Sequence, residues 1–290
     1  MGNLGIKQGA QAPSVTPSGI SLKPEYYDAL LTEPVPIGFL ELHAENYLSE
    51  GGPRHYYLEQ IRQQYPLTIH GVGLSVGGEA PLDVAHLQRV QQLVERCQPL
   101  YFSEHLAWSG HTGHYFNDLL PVIYEQHSLA RVCEHVDQIQ NALQQPILIE
   151  NPARYLSFHE QSMSESQFLQ ELVSRTGCGM LLDINNVVVS CHNLKVDYWD
   201  YLADFPFAEV RQFHLAGHSH RQQLKIDSHD QPIDPEVWAL FEQVMAYTGV
   251  HLTLIERDGN IPELGELVAE AHQADHYRQQ ISERMRSHGS

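Results

Sequence analysis

The sequence predicts a single-domain (β/α)8 barrel, the TIM-barrel form of the α/β class, and two observations support this prediction. Segments typical of strands and helices alternate eight times along 290 residues, as a barrel built from eight βα units requires. Six of the strand-like runs also end in histidine, glutamate or aspartate, side chains that a barrel can collect at its C-terminal mouth. No change in composition marks a domain boundary, so we expect residues 19–285 to form one metal-binding unit.

The first five strands are predicted where short runs of apolar and β-branched residues stand between turn signals. They lie at 20–22, 37–43, 67–75, 100–108 and 147–151. Helices are predicted between them from apolar residues three to four positions apart, at 24–31, 55–65, 82–97 and 128–143. Residues 109–118 are expected to form a polar loop. Residues 1–18, rich in Gly, Gln, Pro and Ser, are expected to form a disordered tail.

The C-terminal half continues the same alternation. Strands are predicted at 179–186, 210–218 and 251–258. Helices are predicted at 164–177, 197–205, 235–249 and 262–285. The first of these helices begins with Ser, carries Glu in its first turn and ends with Gly, residues that start and stop helices.

The alternative architecture is a doubly wound open sheet, which usually carries a G-x-G-x-x-G turn after its first strand. The glycine-rich segment GGEAP at 77–81 follows a predicted strand but lacks that spacing. The sequence therefore favours the barrel.

Charge and composition exclude several classes of function. Asp and Glu number 36 against 17 Lys and Arg, and the formal net charge of −19 repels nucleic-acid backbones. No apolar stretch approaches the roughly 20 residues that span a bilayer. The four cysteines form no CxxC pair, and the first residues lack the apolar core of a signal peptide. We therefore expect a cytoplasmic protein with reduced thiols that binds neither nucleic acid nor membrane.

The candidate functional residues end six predicted strands or lie in one loop. The strand-end residues are His70, His105, Glu150, Asp183, His214 and Glu256. The loop after the seventh strand adds Asp227 and His229, whose D-x-H spacing lets both side chains point the same way in an extended segment. A single strand-end histidine can equally be a satisfied core residue, and a carboxylate can cap the next helix. Six such residues at one position of the fold favour a metal centre.

The donor set combines imidazoles and carboxylates without a thiolate, which suits Fe(II), Mn(II) or Zn(II). Eight candidates exceed the needs of one ion, so we expect two or three ions, with a carboxylate such as Glu150 bridging. Asn185 and Asn186 are further candidates as ligands, turn formers or outer donors, and strand alternation favours Asn185. The same residues would also serve a metal-dependent phosphoesterase or an isomerase of the xylose-isomerase type. No catalytic residue is apparent beyond the metal centre.

Seven motifs, in order between about residues 19 and 275, resemble those of one known family. They are ELHAENY at 41–47, LTIHGVGLSVGG at 67–78, SEHLAWS at 103–109, LIENP at 148–152, LLDINNVVVS at 181–190, FHLAGH at 213–218 and LIERD at 254–258. The family, long catalogued as a barrel family of unknown function, is that of the multinuclear non-heme iron-dependent oxidative enzymes. It includes the methanobactin biosynthesis oxygenase MbnB.

The resemblance implies a TIM barrel that holds two or three irons and uses O₂ to modify a residue, often a cysteine, of a ribosomally made precursor peptide. It also implies a companion protein that binds the leader of that peptide. Carried over motif by motif, the implied metal ligands are His70, His105, Glu150, Asp183, Asn185, His214, Asp227, His229 and Glu256. Donor chemistry alone leaves manganese or zinc open in place of iron.

Overall fold

Eight parallel strands close into one barrel in the computed structural model, which describes residues 18–111 and 114–288. In chain order they are β1 Gly19–Ser21, β2 Leu40–His43, β3 Leu67–Gly71, β4 Phe102–His105, β5 Leu148–Glu150, β6 Gly179–Asp183, β7 Val210–Leu215 and β8 Leu252–Ile255. Each strand pairs with its neighbours in sequence, and β1 closes the barrel against β8. The predicted (β/α)8 barrel is confirmed, and the open doubly wound sheet is excluded.

Nine α-helices occur within the described residues. They are α1 Tyr27–Thr32, α2 Pro53–Ile61, α3 Val84–Cys97, α4 Gln126–Leu143, α5 Glu165–Thr176, α6 Ile184–Leu194, α7 Tyr198–Tyr201, α8 Pro235–Thr248 and α9 Leu264–His288. In the same part of the chain, three short 3-10 helices cover Pro24–Tyr26, Ala44–Tyr47 and Phe207–Glu209. Across the described part of the chain, no helix has both the length and the apolarity needed to cross a membrane.

Helix α5 begins after Ser164 and ends at Gly177, as the sequence predicted. The Ser164 side chain accepts a hydrogen bond from the Gln167 backbone N–H, and the Gln167 side chain accepts one from the Ser164 N–H. This capping box pairs two backbone donors that the first helical turn leaves free. Gly177 ends the helix with φ 69°, in the left-handed region that glycine adopts without strain.

Alternation along the strands separates polar from apolar side chains. Inside the barrel, Thr68 Oγ1 donates to Glu41 Oε2 at 2.8 Å, and Gln212 Nε2 donates to the same oxygen at 2.6 Å. Their chain neighbours Leu42 and Ile69 belong instead to the buried apolar core. Because side chains on one face of a strand recur every second residue, the residues two positions beyond these polar ones face the mouth of the barrel.

The expectation of a polar loop at 109–118 is wrong. Trp108–His111 pairs antiparallel with His114–Leu120 to form a hairpin, hereafter the mouth hairpin. Its second strand is mostly exposed, so polar residues are compatible with it, and polarity alone did not distinguish strand from loop. A second hairpin, Ser219–Arg221 with Leu224–Ile226, follows β7.

The strand predicted at 179–186 is too long, and helix α6 was missed. The β6 strand ends at Asp183, whose side chain accepts a hydrogen bond from the Asn186 N–H and so caps α6. The β-branched run at 187–189 favours a strand, but its complete burial among neighbouring elements overrides that preference. Asn185 consequently lies in the first turn of a helix, and not on the strand face that Asp183 occupies.

Two further predictions need correction: the boundary of the N-terminal tail and the length of the helix at 197–205. Ser18, placed in the tail by the sequence, is fully buried, and both its N–H and its hydroxyl donate to Asp275 Oδ1. The rest of the predicted tail, residues 1–17, lies outside the described residues. The helix predicted at 197–205 is limited to α7, Tyr198–Tyr201.

Asn151 ties the ends of β5 and β6 together and offers a test of the fold. Its side chain accepts from the Asp183 N–H at 2.9 Å and donates to the Asp183 carbonyl at 3.0 Å, with no exposure to solvent. Asn151→Ala would leave the Asp183 N–H buried without a partner and would remove one hydrogen bond from the Asp183 carbonyl, which as the N-cap carbonyl of α6 also accepts the first bond of that helix. We expect the free energy of unfolding to fall by about 2–3 kcal/mol, measured by urea denaturation. Asn141→Ala, on an exposed part of α4, should change it by less than about 0.5 kcal/mol, and equal losses would contradict this account.

Candidate metal centre

Side chains from five neighbouring strands meet at the C-terminal mouth of the barrel. Strand register sets His105 of β4 beside Glu150 of β5, and Asp183 of β6 beside His214 of β7. His70 of β3 reaches the same glutamate, and its Nε2 and the Nε2 of His105 each lie 3.1 Å from Glu150 Oε2. His70, His105 and Glu150 form the first cluster, in which one ligand atom per residue lies within 4.8 Å of the others.

Two further clusters continue from the first. The second joins Glu150, Asp183 and His214, and the third joins Asp183, His229 and Glu256, within the same distance. His214 Nδ1 lies 3.0 Å from Glu256 Oε2 and 3.6 Å from Glu150 Oε1. Glu150 is therefore common to the first and second clusters, and Asp183 to the second and third. A carboxylate shared in this way would be placed to contact two ions, one in each of its clusters.

The loop after β7 brings Asp227 and His229 to the strand-end residues. His229 Nδ1 lies 3.4 Å from Glu256 Oε2, and its Nε2 lies 2.6 Å from Asp227 Oδ1. The backbone of His229 has φ 47°, a conformation that costs a non-glycine residue energy and is held by its surroundings. The N–H of Asp227 donates to the hydroxyl of Tyr155 at 2.9 Å, which anchors the loop.

The two asparagines of α6 have different surroundings. Asn185 Nδ2 donates to Asp227 Oδ1, and Asn185 Oδ1 accepts from His218 Nδ1, each at 2.8 Å. The amide of Asn185 therefore holds Asp227 in place. Asn186 Nδ2 donates to the Asn151 carbonyl, while its Oδ1 is buried without a hydrogen-bond partner. Asn186, which strand alternation did not favour as a ligand, is therefore the asparagine whose amide oxygen is free.

Two of the imidazoles are oriented by contacts behind the mouth. His105 Nδ1 donates to the Gly71 carbonyl at 3.3 Å, which leaves a lone pair on the Nε2 that faces Glu150. Burial lowers the pKa of His105 and so favours the neutral ring that a metal requires. His70 Nδ1 lies 2.7 Å from the Ser103 hydroxyl. Such outer contacts fix ring orientation in metal sites.

Sequence reasoning missed three residues of the mouth. His43 ends β2 as the chosen residues end their strands, so the same signal was present. Asp258 stands two residues beyond Glu256, and these two form a fourth cluster with His43. Glu41 is buried inside the barrel, and its Oε1 lies 2.8 Å from His214 Nε2. The sequence signal for Glu41 was its inward register, two positions before His43.

The mouth residues shift one another's protonation. Burial alone would raise the pKa of Glu150, but His105 and His70 outweigh it and lower this pKa to about 2. Burial alone would lower the pKa of His70, but the Glu150 carboxylate raises it to about 9. Burial and the Glu150 charge raise the pKa of Asp183 well above its usual range. Protons thus balance the buried carboxylates here, and divalent cations would replace them.

Unpaired buried atoms provide the test of whether metal ions fit. The buried mouth atoms without a hydrogen-bond partner include His70 Nε2, Glu150 Oε2, Asp183 Oδ2, His214 Nδ1 and His229 Nε2. They approach one another closely but without hydrogen-bond geometry, and each unpaired group costs about 1–3 kcal/mol. Bound cations would satisfy them together. The donors are nitrogen and oxygen, so the set fits Fe(II), Mn(II) or Zn(II).

A cavity of about 450 Å³ opens beside His105 of the first cluster and beside Asp227, which contacts His229 of the third. Its lining includes His105, Asn186, Asp227, Tyr155, and Tyr115 and Leu119 of the mouth hairpin. The cavity is in the size range of sites for small molecules or single side chains. Substrate entering it would meet His105 and Asp227, and through them the clusters.

Comparison with solved structures shows the fold. An L-ribulose 3-epimerase superposes with a TM-score of 0.62 at 11% identity, covering 95% of this chain and 99% of the epimerase. Endonuclease IV from Thermus thermophilus superposes with a TM-score of 0.56 at 15% identity, covering 92% and 99%. A xylose isomerase domain protein from Alicyclobacillus acidocaldarius gives 0.58 at 11%, covering 92% and 99%. These similarities extend to the TIM barrel and no further.

Comparison with sequences identifies the family. UPF0276 proteins of Bordetella parapertussis and Rhizobium meliloti are 52% and 48% identical over 258 and 263 residues. The alignments cover 87% and 89% of this chain and 89% and 85% of those proteins. A family model described as "RiPP precursor modification enzyme MbnB/TglH/ChrH" matches residues 17–279. RiPPs are ribosomally synthesised and post-translationally modified peptides, and this chain belongs to the MbnB/TglH/ChrH family of enzymes that modify their precursors.

Proposed function

We propose that this chain is a multinuclear iron-dependent oxidase or oxygenase that uses O₂ to modify a cysteine of a ribosomally made precursor peptide. The observation that carries the proposal is the row of three clusters, in which Glu150 and Asp183 each belong to two. A row of this kind suits two or three adjacent ions better than one. The family supplies the substrate class, a RiPP precursor.

The proposed metal ligands are the residues predicted from the sequence. They are His70, His105, Glu150, Asp183, Asn185, His214, Asp227, His229 and Glu256. Among these, Asn185 has the weakest support, because its oxygen accepts from His218. Iron, when bound, supplies the electrons that O₂ activation requires. Manganese and zinc match the same donors, but zinc has no redox chemistry to offer.

The chain's own residues would position the peptide and fix the ligands. The cavity beside the clusters admits a side chain toward His105 and Asp227. Tyr155 lines it and holds the Asp227 backbone, so the wall of the cavity and a proposed ligand are mechanically coupled. The hydrogen bond from His105 Nδ1 to the Gly71 carbonyl favours the neutral tautomer whose Nε2 carries a lone pair. Burial of Glu150 and Asp183 keeps bulk water away from the reacting groups.

The mouth hairpin offers apolar surface to a peptide or its carrier. Tyr115, Phe116 and Leu119 are exposed there, and Tyr155 and Leu156 are exposed on the loop after β5. Exposed apolar groups gathered at one rim mark interaction sites. We place the precursor peptide, and a companion protein that binds its leader, at this rim. The reaction would take place in the cytoplasm, where the precursor is made and cysteines stay reduced.

The phosphoesterase alternative is weakened by charge. The described lining of the 450 Å³ cavity includes Asp118 and Asp227 and neither lysine nor arginine, so it disfavours a phosphate group. The isomerase alternative rests on the barrel and on the same His, Asp and Glu donors, which would also hold the two ions of such an enzyme. Turnover of ketose sugars or cleavage of abasic DNA with added Mn²⁺ or Zn²⁺ would favour these alternatives over the oxidase.

Metal content tests the shared position of Glu150. Glu150→Ala should lose ions from both clusters to which it belongs, while circular dichroism shows an intact barrel, because a rim ligand contributes little to packing. Iron per chain would be measured by plasma mass spectrometry after purification without air. Glu171→Ala, a control at an exposed position of α5, should keep the two or three ions of the wild type. Unchanged iron in Glu150→Ala would disprove the bridging assignment.

Oxygen consumption tests the reaction class. Protein reconstituted with Fe(II) should consume O₂ only when a cysteine-bearing precursor peptide, with its companion protein, is present, and the peptide mass should change. Protein loaded with Zn(II) should bind the peptide without consuming O₂, because zinc does not change oxidation state. A peptide in which serine replaces the cysteine serves as the matched control. Equal mass change with zinc and iron would rule out the oxidative mechanism.

A further inference from the structure

The fourth cluster at the mouth, made of His43, Glu256 and Asp258, extends the row of metal-binding clusters. Glu256 belongs both to it and to the third cluster. His43 Nε2 lies 3.4 Å from Glu256 Oε1 and 3.9 Å from Asp258 Oδ1. By its donor types alone this cluster would accept an ion as readily as the other three.

A lysine distinguishes the fourth cluster from the others. Lys23 Nζ donates to Asp258 Oδ1 at 2.6 Å, and the lysine side chain is only 15% exposed. Strand β1 lies between β8 and β2 in the barrel. Lys23 follows β1, so it stands between Asp258, which follows β8, and His43, which ends β2. The order of the strands in the barrel therefore brings Lys23 to this cluster.

The position of Lys23 is fixed by its backbone as well as by its ion pair. Pro24 follows it, and a residue before proline is confined to extended conformations. Lys23 has φ −111° and ψ 147°, within that range. Asp258 is held from the other side, since its Oδ2 lies 3.3 Å from His229 Nδ1. The lysine and its partner are thus both held in place before any ion arrives.

We infer that the Lys23 ammonium is a built-in cation that takes the place of a metal ion in the fourth cluster and ends the row of metal sites. A metal ligated by Asp258 Oδ1 would lie about 2.0–2.2 Å from that oxygen, and the ammonium already lies 2.6 Å from the same atom, which is also the Asp258 oxygen nearest His43. Two cations this close in a half-buried site repel strongly. The inference rests on the proposed function only in that the other clusters bind iron.

Metal stoichiometry in three variants tests this inference. Lys23→Met removes the charge while keeping a long side chain, and it should bind one iron per chain more than the wild type. Lys23→Arg keeps a cation beside Asp258 and should match the wild type. Lys23→Met combined with Asp258→Asn removes the carboxylate that the extra ion needs, and should return to the wild-type count. Each protein would be dialysed without air against Fe(II) alone and analysed by plasma mass spectrometry, with circular dichroism to verify folding.

The outcomes separate this inference from the proposed function. A folded Lys23→Met protein with the wild-type iron count would overturn the inference, as would an extra ion that persists in the double variant. A wild type that binds no iron would instead overturn the proposed function. Should Lys23→Met fail to fold, anomalous scattering from iron-loaded wild-type crystals decides. We expect Lys23 Nζ beside Asp258, and an iron peak within bonding distance of Asp258 and His43 would refute the role of the lysine.

Discussion

Buried negative charge at one end of the barrel is the constraint on which the rest of this structure depends. Glu41, Glu150, Asp183 and Glu256 are almost completely withdrawn from solvent; the last three share the metal-binding clusters, and Glu41 contacts His214 of the second cluster. Carboxylates so placed are stable only beside protons or cations. The surrounding imidazoles, the unpaired donor atoms and the strongly shifted pKa values all follow from that requirement. A site with this much buried negative charge is suited to binding divalent ions, because without cations its carboxylates repel one another.

The barrel meets the constraint through its backbone. Parallel strands bring their C-terminal ends to one rim, and register then sets His105 beside Glu150 and Asp183 beside His214. Hydrogen bonds from residues outside the clusters complete the arrangement; the Asn151 side chain, for example, bonds both the N–H and the carbonyl of Asp183. The site is therefore built on strands, while the loops add Asp227 and close the cavity wall. Among the proposed ligands, His229 is the one held in the left-handed backbone region, at φ 47°.

Most of the fold was predictable because strands and helices differ in the period of their apolar residues. The errors have local physical causes. The mouth hairpin is solvated, so its polar sequence did not identify it as a strand pair. Helix α6 contains β-branched residues that prefer strands, and burial outweighed that preference. Among the site residues, His43 could have been found from its strand-end position. Asn185 could not be placed, since the strand was expected to continue past Asp183.

The sequence by itself determined the barrel and the residue types that end its strands, because both are encoded in short-range patterns. It also carried the motifs that identify the family. Only the tertiary structure decided which ligand atoms face each other, that Glu150, Asp183 and Glu256 are each common to two clusters, and that Lys23 stands beside Asp258. These are contacts between residues far apart in the chain. They depend on strand register and barrel closure, which no local pattern specifies.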